Sequence, residues 1–172
     1  MSSHKLLIKS LDLASKNHVQ QKRKSDGSPY INHLIEVAAL LTEIAGIDDP
    51  DELSAAILHD ILEDTDVTRD EIYKACGNRV LELVEALSDD KSLSLYERRE
   101  KVLRVLPKKP SSVMRIKLAD LCSNASAIPS GWSLERQTEY FHWLDLVAEI
   151  CKASSLALHN EYLRRRAVHI AE

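Results

Sequence analysis

The chain has 172 residues, 44% hydrophobic and 29% charged, with a formal net charge of −4. That length supports one domain burying roughly 70% of its unfolded surface, enough for a core without disulfides. The mild negative charge argues against a general nucleic-acid binder. No apolar run approaches the roughly 18 residues of a membrane span, and "MSSHKLLIKSLDLASKNH" lacks a signal-peptide core, which points to the cytoplasm.

Only four glycines and five prolines punctuate a chain rich in Leu, Ala, Glu, Lys and Arg, the composition of an all-α fold. A single bundle of about eight to ten helices over residues 1–172 is expected. Cys76, Cys122 and Cys151 show no CxxC spacing and read as small buried hydrophobes. The oligomeric state is not legible.

A first helix is expected from Ser3 to His18, ending in the basic turn Lys22 to Pro29, where Asp26-Gly27-Ser28-Pro29 is a turn signal. That run reads as solvated surface. A second helix covers Ile31 to Ala45, stopped by Gly46, and a third starts near Pro50, a residue suited to a first helical position. Thr68 with Glu71 makes a capping box for a short fourth helix ended by Gly77. Further helices follow over Asn78 to Ser88, Ser94 to Leu106 and Ser111 to Ala127, the last ended by Pro129. A long one begins at Ser133, and a final one reaches Arg166. Clean alternation, the strand signal, is nearly absent.

The third helix contains "LSAAILHDILED". Taken as continuous helix, it places His59, Asp60, Glu63 and Asp64 three or four residues apart on one side, among Ile57, Leu58, Ile61 and Leu62. An exposed acidic face would explain an isolated pair. Three carboxylates beside an imidazole on an apolar helix favour a site where a cation offsets their repulsion and lost hydration. His33 and Asp120, each in an otherwise apolar helix, are the candidates for further ligands. A lone core histidine is the ordinary reading of His33, and Lys117, three residues before Asp120, is a ready salt-bridge partner. His33, His59, Asp60 and Asp120 together form a nitrogen and oxygen set suited to Mn, Fe or Zn. Such a metal polarises a phosphoryl oxygen and makes hydroxide available near neutral pH. Glu63 and Asp64, one turn on, are placed to position water and protonate a leaving group.

The order His, His-Asp, Asp on separate helices resembles the HD superfamily of metal-dependent phosphohydrolases. "HVQQKRKSDGSPYINH", "AAILHDILEDTDVT" and "IKLADLCSN" resemble blocks of the RelA/SpoT hydrolase domain. "LSDDKSLSLYERRE" and "GWSLERQTEYFHW" are closer to the single-domain small alarmone hydrolases of the metazoan SpoT homologue type. The likeness covers about residues 14–145. It implies a Mn²⁺-dependent hydrolase that removes the 3′-pyrophosphate of ppGpp or pppGpp, with a small nucleotide as its partner and neither nucleic acid nor membrane. It assigns His33, His59, Asp60 and Asp120 to the metal and Glu63 and Asp64 to catalysis. Arg23 and Lys24 would border the nucleotide, Asn124 the ribose, and Lys91 and Arg98 the phosphates; Tyr140 either borders the pocket or packs a helix.

The sequence departs from that family at Leu121 and Ser126, where basic residues are usual. Affinity or preference could therefore differ, which keeps pApp, a dNTP or NADPH open as substrate. A regulatory module without turnover would predict damage to the six metal and catalytic positions, and all six are intact. A synthetase activity is not expected, since no room is left for a second domain.

Overall fold

Helix punctuation in the sequence translates directly into the chain's path. In the computed structural model, which describes residues 2–168, the α-helices are α1 (Ser3–Asn17), α2 (Ile31–Glu43), α3 (Pro50–Ile57), α4 (Ile61–Asp64), α5 (Arg69–Cys76), α6 (Asn78–Leu87), α7 (Leu95–Val105), α8 (Ser111–Ala125), α9 (Leu134–Cys151) and α10 (Leu156–Ala167). Short 3-10 turns follow α7 and α9. Among the described residues there is no strand, only an isolated bridge between Lys22 and Pro29, and no helix is long and apolar enough to cross a membrane. The all-α expectation holds, and most helix ends fall within two residues of those read from the sequence.

The caps explain the ends. Thr68 and Glu71 form the expected capping box on α5, satisfying two N-terminal N–H groups reciprocally. Asp49 accepts the Asp51 N–H, with Pro50 opening α3. Gly77, at φ +91°, ends α5 and leads into α6 in a conformation that side chains disfavour.

One expectation fails in an informative place. The third helix does not run through the HD pair: α3 stops at Ile57, residues 58–60 form a turn, and α4 is a single turn beginning at Ile61. His59 supplies the reason. Its Nδ1 lies 2.7 Å from the Ala56 carbonyl oxygen, the acceptor a continuing helix would offer to the Asp60 N–H. Side chain replaces backbone, and the helix ends. The four polar residues thus do not share one side of a single helix; His59 and Asp60 sit in the turn, Glu63 and Asp64 on α4.

The core sits around α8, which is buried along most of its length and packs on α2, α9 and α10. α3 is buried from Glu52 to Ile57 and packs on α1, α2 and α6. Its buried Glu52 takes two hydrogen bonds from Arg115 of α8, at 2.9 and 2.7 Å. This fixes the N-terminal end of α3 against the helix that carries Asp120.

Candidate active site

Three elements converge where α3 ends. α2 contributes His33, the turn after α3 contributes His59 and Asp60, and α8 contributes Asp120. His33, His59 and Asp120 are buried and Asp60 partly so. One ligand atom each of His33, His59 and Asp60 lies within 4.8 Å of the others. His59 Nε2 is 3.1 Å from Asp60 Oδ2 and 3.7 Å from Asp120 Oδ1, while His33 Nε2 is 3.3 Å from Asp120 Oδ1. The partial negative charge at the C-terminus of α3 adds to the field of the two carboxylates.

This cluster fits a divalent cation. His59 Nε2 is buried and has no hydrogen-bond partner among the described residues, a costly arrangement unless a ligand takes its lone pair. Its Nδ1 donates to the Ala56 carbonyl, which leaves Nε2 to face the carboxylates. Burial would lower the imidazole pKa, but Asp60 and Asp120 hold it well above the ordinary value, and a cation would take the place of the Nε2 proton. Both readings of Asp120 are realised at once. Its Oδ2 takes Lys117 at 3.1 Å, and its Oδ1 takes the Asn124 amide at 2.6 Å and faces the imidazoles. Burial would raise the Asp120 carboxyl, but Lys117 and the two histidines hold it well below the usual carboxylate range.

Four rings pack in a row across the site: His18 stacks on Tyr30 with centroids 5.4 Å apart, Tyr30 tilts against His33 at 5.3 Å, and His33 meets His59 edge-on at 5.2 Å. The Tyr30 hydroxyl donates to Asp60 Oδ2 at 2.5 Å. Burial and the Asp60 charge push its pKa above the ordinary value, so it stays a neutral donor. Tyr30 was not among the sequence-derived candidates. Its signal is an aromatic three residues before His33, at the entrance to α2.

The α4 carboxylates stand beside the cluster. Glu63 Oε1 accepts the Asp89 N–H at 2.8 Å, and Asp64 pairs with Lys91, so the loop after α6 holds both. Burial pushes the Glu63 carboxyl up to about 7, with Asp60 and Asp89 adding repulsion. Asp64 also borders a cleft of about 280 Å³, shared with Arg23, Lys24, Tyr30, Asn124, Trp132 and Tyr140. Arg23 donates to Asn124 Oδ1 at 3.1 Å, joining the basic turn to α8. Trp132 meets Tyr140 edge-on at 5.2 Å, and the Arg136 guanidinium lies 4.2 Å from the Trp132 ring. Tyr140 therefore lines the cleft.

Three positions singled out in the sequence lie elsewhere. Arg98 is half-buried on α7, its Nε without a protein partner among the described residues, and no contact found there ties it to the cluster. Leu121 is 1% exposed in the core, and the Ser126 hydroxyl donates to the Cys122 carbonyl at 3.3 Å. Neither lines the cleft.

Residues 10–140 match the family model described as HD domain. The chain belongs to the HD-domain family. Over 142 residues, 80% of this HD-domain chain and 79% of the relative, it is 44% identical to the guanosine-3′,5′-bis(diphosphate) 3′-pyrophosphohydrolase MESH1 of Mus musculus, and equally to that of Homo sapiens. It also superposes on the solved structure of a metazoan ortholog of SpoT, described as hydrolyzing ppGpp, with a TM-score of 0.90, 33% identity and 95% coverage of both chains. The likeness expected from the sequence blocks is borne out in sequence and in fold.

Proposed function

We propose that this HD-domain chain is a cytoplasmic, metal-dependent guanosine-3′,5′-bis(diphosphate) 3′-pyrophosphohydrolase, one phosphohydrolase domain from end to end, that converts ppGpp and water to GDP and pyrophosphate. One observation carries the reading: the metal-type cluster and the cleft are joined by shared residues. Tyr30 and Asn124 each bind a cluster carboxylate and also line the cleft. The MESH1 relatives carry this activity in their names.

In this reading His33, His59, Asp60 and Asp120 hold Mn²⁺, for which two imidazoles and two carboxylates are a suitable set. A divalent cation there polarises a phosphoryl oxygen and makes hydroxide available near neutral pH. The chain's own residues do the rest. Glu63, poised near pH 7 by burial, protonates the leaving ribose oxygen, and Asp64, steadied by Lys91, orients the water. Arg23 and Lys24 offer charge to the nucleotide, Asn124 meets the ribose, and Trp132 with Tyr140 walls the base. Lys91, paired with Asp64, would meet the departing phosphates, and Arg98 would contribute positive potential from α7.

The missing charges at positions 121 and 126 kept related nucleotides in view, but neither residue lines the cleft. The test is product analysis with Mn²⁺-loaded protein offered ppGpp, pppGpp, pApp, dGTP and NADPH side by side. GDP and pyrophosphate from ppGpp at the highest kcat/KM is expected. Turnover of another member alone would replace the substrate assignment and leave the metal reading standing.

A further inference from the structure

His33 offers a lone pair at Nε2 only while its proton sits on Nδ1. The opposite tautomer is available: a proton on Nε2 has Asp120 Oδ1 3.3 Å away and would mask the ligand. The choice is made on the other side of the ring. His33 Nδ1 lies 2.8 Å from Ser123 Oγ, a group able to donate or accept. The single hydroxyl proton of Ser123 is already committed, since Oγ donates to Glu36 Oε2 at 2.6 Å and a carboxylate only accepts. Ser123 can therefore meet His33 only as an acceptor. Glu36 is fixed in turn by Arg165, whose Nη1 donates to Oε1 at 2.6 Å while its Nε donates to Glu161 at 2.6 Å.

We infer that Arg165, Glu36 and Ser123 are positioning residues that fix the tautomer of His33, so that α10 governs a metal ligand it does not touch. Burial would raise the Glu36 carboxyl, but the Ser123 and Arg165 donors hold it below its ordinary value, and it stays a pure acceptor. The pair could instead serve only to pin α10 on α2 and α8. The two roles separate in the direction of one proton, which a packing role leaves indifferent. The inference rests on His33 being a ligand, and the test keeps the two claims apart.

The first arm is the two-bond ¹⁵N–¹H histidine spectrum of EDTA-treated protein, with His33 assigned by comparison with His33→Ala. Wild type and Ser123→Thr are expected to show the Nδ1–H pattern, and Ser123→Ala and Glu36→Gln a shift toward the Nε2–H form. The second arm is Mn²⁺ affinity by calorimetry. Ser123→Ala should weaken it about 10- to 100-fold, the usual range for losing a partner behind a metal-ligating histidine. Glu36→Gln should weaken it less, Arg165→Ala several-fold, and Ser123→Thr should restore it. The double variant Glu36→Gln/Ser123→Ala should bind no worse than Ser123→Ala alone. An unchanged Nδ1–H pattern in Ser123→Ala, with Mn²⁺ affinity within twofold of wild type, would overturn the relay. Normal Mn²⁺ binding by His33→Ala would overturn the ligand reading instead, and the spectrum would still judge the tautomer.

Discussion

Asp60 Oδ2 receives the Tyr30 hydroxyl and faces His59 Nε2, so one donor on the cleft side steers an oxygen that the cluster needs. Removing that carboxylate takes away a proposed ligand and the target of Tyr30. Asp60→Ala is expected to lose both Mn²⁺ and activity, as metal analysis after gel filtration with a turnover assay would show; near-normal metal content would refute the ligand assignment. Asp64 belongs to the rim, and Asp64→Asn should keep its metal while turnover drops by about 10²- to 10⁴-fold, the usual worth of a positioned acid or base. Glu63 gives a pH signature of its own. Its folded-state pKa of about 7 exceeds the ordinary 4.5, so folding takes up a proton between these values. Its contribution to stability is full below about 4.5 and is lost as pH rises through 7. Glu63→Gln retains an acceptor for the Asp89 N–H and removes the buried charge. In EDTA it should melt above wild type at pH 8, with the gap closing below pH 5; a gap independent of pH would contradict the burial argument.

At the scale of elements, the helix that ends early matters most. Hydrophobic periodicity runs unbroken through "LSAAILHDILED" and reports one helix, because a pattern of side-chain types does not register a histidine that bonds its own helix's carbonyl. The end of α5 was legible for the converse reason: Thr68, Glu71 and Gly77 act within a few residues. His33, His59, Asp60 and Asp120 could be picked out as polar groups inside apolar helices. The bonds that orient them could not, since Glu36, Ser123 and Arg165 lie on three helices and the Arg165–Glu36 link alone spans 129 residues of sequence. The Glu52–Arg115 pair is another such link. Arg115→Ala leaves Glu52, 2% exposed, charged and without its guanidinium. Urea unfolding should show a loss of about 3 kcal/mol, with α3 no longer held on α8 and Mn²⁺ affinity reduced alongside. A loss under about 1 kcal/mol would mean the pair behaves as a surface bridge.

For the whole molecule, the candidate metal centre joins α2, the α3–α4 turn and α8, the elements that also build the core. A cation bound by all three stabilises only the folded chain. At a hundredfold excess over Kd this is worth about 2.7 kcal/mol, or roughly 5–10 °C in Tm for a chain of this size. Differential scanning calorimetry with Mn²⁺ and with EDTA should show that shift in wild type and none in Asp60→Ala. The central claim is chemical, however, and ³¹P NMR of ppGpp incubated with Mn²⁺-loaded protein, quenched with EDTA, tests it most directly. The account predicts loss of the 3′-diphosphate resonances and growth of the pyrophosphate signal, both absent with Asp64→Asn, while the 5′-diphosphate is retained throughout. Loss of the 5′-diphosphate, release of orthophosphate alone, or equal turnover by Asp64→Asn would contradict it.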